Sequence, residues 1–431
     1  MSRLNRSALA LVALGAAALV LAACGSSSKS SSGSSGGSAS STSSSGGSSK
    51  PPIVIGAAID FSNLMAPTDD PAFYAAELEA KKINSEGGVD GRKIEFLSAN
   101  TQNQPSLTRS DALNFVAKHV NVLWVTCDVD FGTPSIEVGL SAGLLTISPC
   151  IGTDQMGPQR FGSLGKLAFT YGNVAQDEGA ADARIAIKQG WRTADVITDK
   201  QIAFNVDTCE AFLSEYQALG GRVIYKRAWV QGDHSIGSIA SQVLGTKPAV
   251  IYACTTGSPD ISTFLTDVRS AGDMTPMLAD WALDGTWWMP KNPNIATNVW
   301  TDSYASIYGD DPSPEVRQLV SELTAEGHAP TAGGFVPGAA AVDGIVAAIK
   351  QAGDSTDGKT LAAIMQDFHD LPTISGPVSF SPQLHSVFGR PYRVLEVVHR
   401  QGHFKYLISS GGLAKCPPIT ATASASCPSI G

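Results

Sequence analysis

The sequence predicts an α/β protein built from two doubly wound lobes, and three observations carry that prediction. Apolar, β-branched runs alternate with segments whose apolar residues have helical spacing, which is typical of a parallel sheet covered by helices on both faces. This alternation runs once and then starts again in the middle of the chain. About 380 residues follow Pro51, more than one ordinary hydrophobic core holds and enough for two lobes.

The first alternation begins just after the Pro51-Pro52 pair, with a β-branched strand and a helix that ends at Gly87-Gly88. The strands and helices in this half are predicted, in order, from the segments PPIVIGAAIDF, AFYAAELEAKKINSEGG, RKIEFLSAN, LTRSDALNFVAKHV, VLWVTC, IEVGLSAG, LLTISP and AFTYGN. Their near-continuous apolar strands favour a parallel sheet.

The second alternation starts with a helix and repeats the same pattern. Its predicted helices and strands are, in order, DEGAADARIAIKQG, TADVIT, VDTCEAFLSEYQALG, RVIYKRAW, IGSIASQVLG, AVIYAC, ISTFLTDVRSAG and TPMLAD. In sheets of this kind ligands bind beyond the carboxyl ends of the strands. Two such lobes facing each other therefore predict a ligand cleft between them.

The first 24 residues have the layout of a secretory signal peptide. Arg3 and Arg6 precede an apolar run at residues 8–20, which is too short to span a bilayer comfortably. The run ends in Leu21-Ala22-Ala23-Cys24, which resembles a bacterial lipobox, so we expect Cys24 to carry the lipid. An ordinary signal peptide or an uncleaved anchor helix is the alternative.

A tether and a tail flank the folded part. Residues 25–52 are dominated by Ser and Gly, a composition that cannot bury enough apolar surface to fold. Residues 411–431 form a Pro/Ser-rich tail. We expect the globular part to be held close to the outer face of the cell membrane by this flexible segment.

Charge and motifs exclude several classes of function. The net charge is −9, and no basic stripe is present, so nucleic acid is not an expected partner. HExxH is absent, and the two GxSxG matches, GSSGG at residues 33–37 and GLSAG at residues 139–143, lie in the Ser/Gly-rich segment and in a predicted helix. Neither is a strand-to-helix turn that would expose a nucleophilic serine, which argues against a secreted hydrolase, the enzyme alternative. His399 and His403 have zinc-like spacing but bracket a predicted hairpin turn. No strand is followed by GxGxxG or a P-loop, so we predict no catalytic residues, metal or cofactor.

Six cysteines remain when Cys24 is set aside, and an exported protein allows them to form disulfides. Two end neighbouring strand-like runs, two lie in the second alternation and two lie in the tail. We predict the pairs Cys127–Cys150, Cys209–Cys254 and Cys416–Cys427. Free buried thiols are the alternative.

Five motifs carry a resemblance to a known family. The segment INSEGGVDGR, residues 83–92, looks like the INxxGGxxGR signature of the type I periplasmic binding proteins of the leucine/isoleucine/valine-binding family. The segments GLLTISPCIGT, ADVITDKQIAF, TDVRSAGDMTPMLAD and ISGPVSFSP resemble further family motifs in the same order, and the likeness covers residues 53 to about 408.

The resemblance implies two doubly wound, Rossmann-like lobes joined by three crossovers, with the ligand cleft between them. The first lobe would comprise residues 53–171 and 305–385, and the second residues 172–304 and 386–410. Such a protein is the extracytoplasmic, solute-binding receptor of an ABC importer. It would be a lipid-anchored monomer that closes on an amino acid, branched-chain ones included, or on an amide-like compound. Its partners would be the permease and ATPase subunits, on other polypeptides. A receptor that reports the same solute to a membrane signalling partner is the alternative function.

The resemblance also implies which residues meet the ligand. Several depart from the family's pattern, because an acid replaces a small hydroxyl residue at Asp128 and a phenyl ring replaces a tyrosine at Phe204. The implied ligand-binding residues are Asp128, Gly152, Thr153, Phe204, Thr256, Asp280, Trp281 and Phe335. We expect the acids and Trp281 to favour an amine-bearing or hydroxyl-rich solute over a simple anion.

Each of these residues also has a purely structural interpretation. Phe204 and Phe335 could belong to the core, and Trp281 could pack the hinge. Asp128 could cap a helix, and Asp280 could pair with an arginine.

Overall fold

The computed structural model describes residues 50–257 and 259–410. The predicted signal peptide with Cys24, most of the predicted tether and the predicted pair Cys416–Cys427 lie outside these residues. Within the described ranges no helix is long and apolar enough to cross a membrane.

Strands and helices alternate along the described chain as predicted. The strands are β1 (Ile53–Ile59), β2 (Ile94–Asn100), β3 (Val122–Val125), β4 (Leu145–Ser148), β5 (Ala168–Asn173), β6 (Thr193–Asp199), β7 (Arg222–Trp229), β8 (Val250–Cys254), β9 (Met277–Ala279), β10 (Val299–Ser303), β11 (Ser386–Val387), β12 (Tyr392–Val398) and β13 (Gln401–Ile408). The helices are α1 (Ala66–Ser85), α2 (Pro105–Ala117), α3 (Val129–Ser141), α4 (Pro158–Phe161), α5 (Ala175–Lys188), α6 (Ala203–Ala218), α7 (Ile236–Thr246), α8 (Pro259–Ser270), α9 (Pro314–Ala325), α10 (Phe335–Gln351) and α11 (Gly358–Gln366).

The strands form two separate sheets, one in each lobe. The first has the order β11-β5-β4-β3-β1-β2 and is parallel throughout. The second has the order β13-β12-β10-β9-β8-β6-β7 and is parallel except for β12 and β13, which form an antiparallel hairpin beside β10. The hairpin turn predicted around His399 is therefore confirmed, and α/β lobes with doubly wound parallel sheets are the observed fold.

Helices cover both faces of each sheet because the strands are apolar on both sides. In the first lobe β1, β3 and β4 pack with α10 in one core. In the second lobe α5 and α6 cover one face of the sheet, and α7 and α8 cover the other. Helix α9 packs on α1.

The chain passes between the two sheets three times, after Asn173, after Ser303 and after Val387. The predicted crossing between residues 171 and 172 falls inside β5, which pairs with β4 in the first sheet. The predicted return at residue 386 is also too early, because β11 pairs with β5 of the first sheet. In both cases the resemblance fixes the order of the crossovers but not the residue at which the chain crosses. The first boundary cuts through the predicted strand AFTYGN, and the two-residue strand β11 has no sequence signal of its own.

Candidate functional site

The carboxyl ends of strands from both sheets meet at one cavity, as the topology requires. The first lobe contributes the segments after β1, β3 and β4, and the second lobe contributes those after β6, β8 and β9. The lining residues are Leu64, Met65, Thr68, Cys127, Asp128 and Gly152 from the first lobe, and Ile202, Phe204, Thr256, Trp281 and Ala282 from the second.

Five of the eight residues predicted to bind ligand line this cavity. Two belong to the first lobe and three to the second, so the two groups face each other across the cleft. They are Asp128, Gly152, Phe204, Thr256 and Trp281.

Asp128 is both a cavity residue and a helix cap. Its Oδ1 accepts hydrogen bonds from the backbone amides of Asp130 and Phe131, each at 2.9 Å, so it is the N-cap of α3. Burial, with the nearby charge of Asp130, raises the pKa of Asp128 to about 7. This carboxyl can therefore be neutral or charged near neutral pH.

Asp69 in α1 holds the loop that carries Asp128. Its Oδ1 accepts from the backbone amide of Cys127 at 2.8 Å, and its Oδ2 accepts from the hydroxyl of Thr126 at 2.7 Å. The same Oδ2 accepts from the amide of Asp60 at the end of β1. One buried carboxyl thus fixes the ends of β1 and β3 relative to each other, a role that the sequence analysis missed.

An aromatic wall lies on the other side. The rings of Phe204 and Trp281 meet edge to face with centroids 6.3 Å apart, and the ring centroids of Trp281 and Tyr304 are 4.8 Å apart. Two buried polar atoms in this wall, Oγ1 of Thr256 and Nε1 of Trp281, have no hydrogen-bond partner among the described residues. Buried polar groups normally have partners, so these two are available to a bound molecule.

The other three predicted residues are buried beside the cavity and do not line it. Thr153 Oγ1 accepts from the backbone amide of Gln155, and Phe335 belongs to the core at the start of α10. Asp280 Oδ2 accepts from the amide of Thr255 and lies near other carboxyl groups, and among the described residues it forms no ion pair with an arginine. Thr153 lies in the loop after β4, Asp280 comes one position beyond β9 and Phe335 begins α10. At such places sequence spacing alone does not give the side chain's direction.

Two predicted disulfides are present, Cys127–Cys150 and Cys209–Cys254. The first joins the segments after β3 and β4, next to Asp128 and Gly152. The second joins α6 to the end of β8. The cleft-facing loops of the first lobe are therefore covalently tied together.

Sequence reasoning missed the apolar part of the cavity. Leu64 and Met65 come from the β1–α1 connection, with the polar Thr68 just beyond them in the first turn of α1, while Ile202 and Ala282 flank the aromatic wall. Apolar side chains carry no chemical motif. The topology was the usable signal, since every connection at the carboxyl end of a central strand is a candidate.

The space inside the cavity is small. The centre of a water molecule can occupy only about 20 Å³ of it, which is room for one or two waters. The lobes are therefore close together, and a larger molecule can enter only if the lobes separate or the wall side chains move. No lysine, arginine or histidine is among the lining residues.

Fold and cleft together define a two-lobed binding protein that encloses its ligand between the lobes. The family model described as "Periplasmic binding protein" matches residues 52–403. The chain belongs to that family, whose members bind solutes outside the cytoplasm and are not enzymes.

Three known proteins illustrate the likeness. The Leu/Ile/Val-binding protein BraC3 of Rhizobium johnstonii is 20% identical over 331 residues, covering 76% of this chain and 87% of that protein. The isoleucine complex of the branched-chain amino acid binding protein LivJ from Streptococcus pneumoniae superimposes with a TM-score of 0.71 at 16% identity, over 83% of this chain and 99% of that one. A solute-binding protein from R. palustris in complex with benzoate superimposes with a TM-score of 0.69 at 19% identity, over 83% of this chain and 96% of that one.

Proposed function

We propose that this protein is the lipid-anchored receptor of an ABC importer and that it traps one small solute between its lobes. The observation that carries the proposal is a cavity whose walls come from both lobes. A ligand shifts an open–closed equilibrium only by its differential affinity for the closed form. Contacts that exist only when both lobes touch the solute supply that difference.

The chemistry of the cavity supports a solute with an apolar body and a polar end. Phe204, Trp281 and the neighbouring aliphatic side chains offer an apolar surface. The free hydroxyl of Thr256 and the free indole N–H of Trp281 suit a hydrogen-bond acceptor such as a carboxylate or amide oxygen. Asp128 on the opposite wall suits an amine or hydroxyl.

An amino acid or an amide-like compound combines these features. The absence of a basic side chain among the described lining residues disfavours a solute with several negative charges. Relatives of the same fold bind isoleucine and benzoate, and both molecules combine an apolar body with one carboxylate. We infer that Asp128, Gly152, Phe204, Thr256 and Trp281 contact the solute. Thr153, Asp280 and Phe335 support them from behind.

The location is part of the proposal. We infer that the signal peptide is cleaved just before Cys24, that Cys24 becomes the lipid-bearing N-terminus and that residues 25–52 tether a monomer to the outer face of the membrane. The closed form would then dock on the permease. A Cys24→Ala variant should leave the membrane fraction, and its retention there would contradict the anchor.

The test is ligand-dependent thermal unfolding of the purified protein after refolding has removed any carried-over ligand. The panel comprises leucine, isoleucine, valine, other amino acids, amides, polyols and benzoates. Ligand at about 100 times its Kd should raise stability by roughly 2.7 kcal/mol. Trp281→Phe keeps an aromatic wall but removes the N–H, and it should weaken binding of the solute that stabilises the wild type. Equal binding by this variant would contradict the role given to the indole.

A further inference from the structure

A cluster of buried carboxyl groups lies directly behind the cleft wall of the second lobe. Glu178 and Asp182 are one turn apart on α5 and share one face of that helix. Asp302 reaches the same point from β10. One carboxylate oxygen from each of the three lies within 4.8 Å of the others, and all three side chains are fully buried. Two elements that are distant in sequence thus place three acids around one point.

The oxygens of this cluster lack partners. Oε2 of Glu178, Oδ1 of Asp182 and both oxygens of Asp302 accept no hydrogen bond from any described residue. A buried charged oxygen without a partner costs several kcal/mol. Asp302 is the extreme case, because both of its buried carboxylate oxygens lack a donor among the described residues.

Neighbouring groups add to this imbalance. Asp280 lies next to the three acids and has an unpartnered Oδ1, and the buried hydroxyl of Tyr392 has no partner either. Within residues 50–257 and 259–410 no lysine, arginine or histidine forms an ion pair with Glu178, Asp182 or Asp302. Burial raises the pKa of all three acids well above the usual range. The negative charge of the cluster must therefore be balanced, either by protons on the acids or by a bound cation.

We propose that Glu178, Asp182 and Asp302 bind a calcium ion in the second lobe. Calcium prefers six to eight oxygen ligands at about 2.3–2.6 Å, so two of its ligands lie up to about 5 Å apart, which matches the spacing of the three acids. Magnesium keeps several waters and suits a dry cluster less well. Zinc prefers nitrogen and sulfur ligands, which are absent from this group. The proposal replaces the expectation from the sequence that the chain has no metal site.

The position of this site connects it to the cleft. The second oxygen of Glu178, Oε1, accepts a hydrogen bond from the backbone amide of Trp281 at 3.0 Å. An ion on Glu178 would therefore lie one hydrogen bond away from the residue that forms the aromatic wall. Calcium occupancy would hold that wall in place.

The experiment measures cation binding directly and does not depend on the solute. The purified full-length protein is treated with a chelator and titrated with terbium, which occupies calcium sites and luminesces when a nearby aromatic ring is excited. The hydroxyl of Tyr252 donates to Asp182 Oδ2 at 2.7 Å, so this ring is a close sensitiser. We expect terbium luminescence that calcium displaces, and a rise in Tm of a few degrees with 1 mM calcium but not with 1 mM magnesium.

Two variants of the cluster and one control make the result specific. Asp302→Asn and Glu178→Gln keep the shape of the side chains and should each weaken calcium binding by at least about tenfold. Asp195→Asn is the control, because Asp195 is a buried acid of the same lobe whose carboxylate accepts from Thr246. This control should bind calcium like the wild type.

Two outcomes would overturn the proposal. One is the absence of calcium binding by the chelator-treated wild type. The other is an equal calcium response in the wild type and in Asp302→Asn, which would place the ion elsewhere. If Asp302→Asn is more stable than the wild type and neither responds to calcium, the acids share protons instead and the calcium site is wrong.

Discussion

Gly152 and Phe204 meet across the cleft so closely that only glycine fits. A Cβ atom built on Gly152 would lie 2.7 Å from Cε2 of the Phe204 ring, closer than real side chains approach. Gly152 follows β4 in the first lobe, and Phe204 lies in the first turn of α6 in the second. This contact therefore reports how near the lobes are to each other.

A methyl group at Gly152 should hold the lobes apart. We expect Gly152→Ala to weaken solute binding by roughly ten- to one-hundred-fold, because overpacking of this kind costs about 1–3 kcal/mol in the closed form alone. Small-angle X-ray scattering with saturating solute should give a larger radius of gyration than for the wild type. Gly245→Ala is the control, since nothing lies within 4 Å of the added methyl group. Unchanged affinity in Gly152→Ala would mean that the lobes do not close this far around the solute.

The pH dependence of binding should reveal which end of the solute faces Asp128. Burial raises the pKa of this acid to about 7, so it is mostly neutral at pH 5.5 and mostly charged at pH 8. For an amine-bearing solute we expect affinity to rise with pH and to level off above 7. Calorimetry over this range measures the effect.

Asp128→Asn is the matched variant, because asparagine caps a helix as well as aspartate does. Its binding should lose the pH dependence while α3 stays intact. An affinity that falls as pH rises would show instead that a carboxylate faces Asp128. A flat profile in the wild type would remove Asp128 from the solute contacts.

Loss of the Cys127–Cys150 disulfide should affect both stability and binding. The bond links two cysteines that are 23 positions apart and so closes a loop in the unfolded chain. Replacing both cysteines by serine should therefore lower the free energy of unfolding by about 3 kcal/mol. The loops that carry Asp128 and Gly152 would loosen, and we expect weaker solute binding. Removing Cys209–Cys254, with a separation of 45 residues, should cost about as much stability but leave affinity unchanged. Equal affinity losses would show that the effect is global. Urea denaturation and calorimetry provide the two readouts.

Stability in the presence of a chelator should fall as pH rises. Burial raises the pKa values of Glu178, Asp182 and Asp302 above those of the unfolded chain. The folded protein then holds protons that the unfolded chain has already lost above pH 4 or so, and stability declines until the raised pKa values are passed. The free energy of unfolding should therefore be larger at pH 5 than at pH 8. Asp302→Asn should reduce this difference, and urea titrations at both pH values measure it. A stability that increases over this range in the wild type would contradict the assignment.

The alternation of strands and helices, both described disulfides and five of the eleven residues that line the cavity could be predicted from the sequence. Periodicity and strand-end position carry the alternation and the disulfides, because both are local, whereas the site residues came from the family resemblance. Side-chain direction is not local, and for that reason Thr153, Asp280 and Phe335 were placed in the cleft although they lie behind it.

The acid cluster shows the same limit more clearly. Glu178 and Asp302 are 124 positions apart, and only the packing of α5 on β10 brings them together. A clue was nonetheless present: the segment AQDEGAAD places three acids in a helix that must cover a sheet. Acids are rarely buried without a partner, so such a helix indicates a polar site beneath it.

The order in which the strands are made has a consequence for where the protein can become active. The second sheet receives β12 and β13 from residues 392–408, long after β6 to β10 have been synthesised. Pairings between segments so distant along the chain form late in folding. A chain threaded through a membrane with its amino end first therefore cannot complete the second lobe until nearly all of it has crossed. Under the export that we propose, the second lobe is therefore completed only on the far side of the membrane.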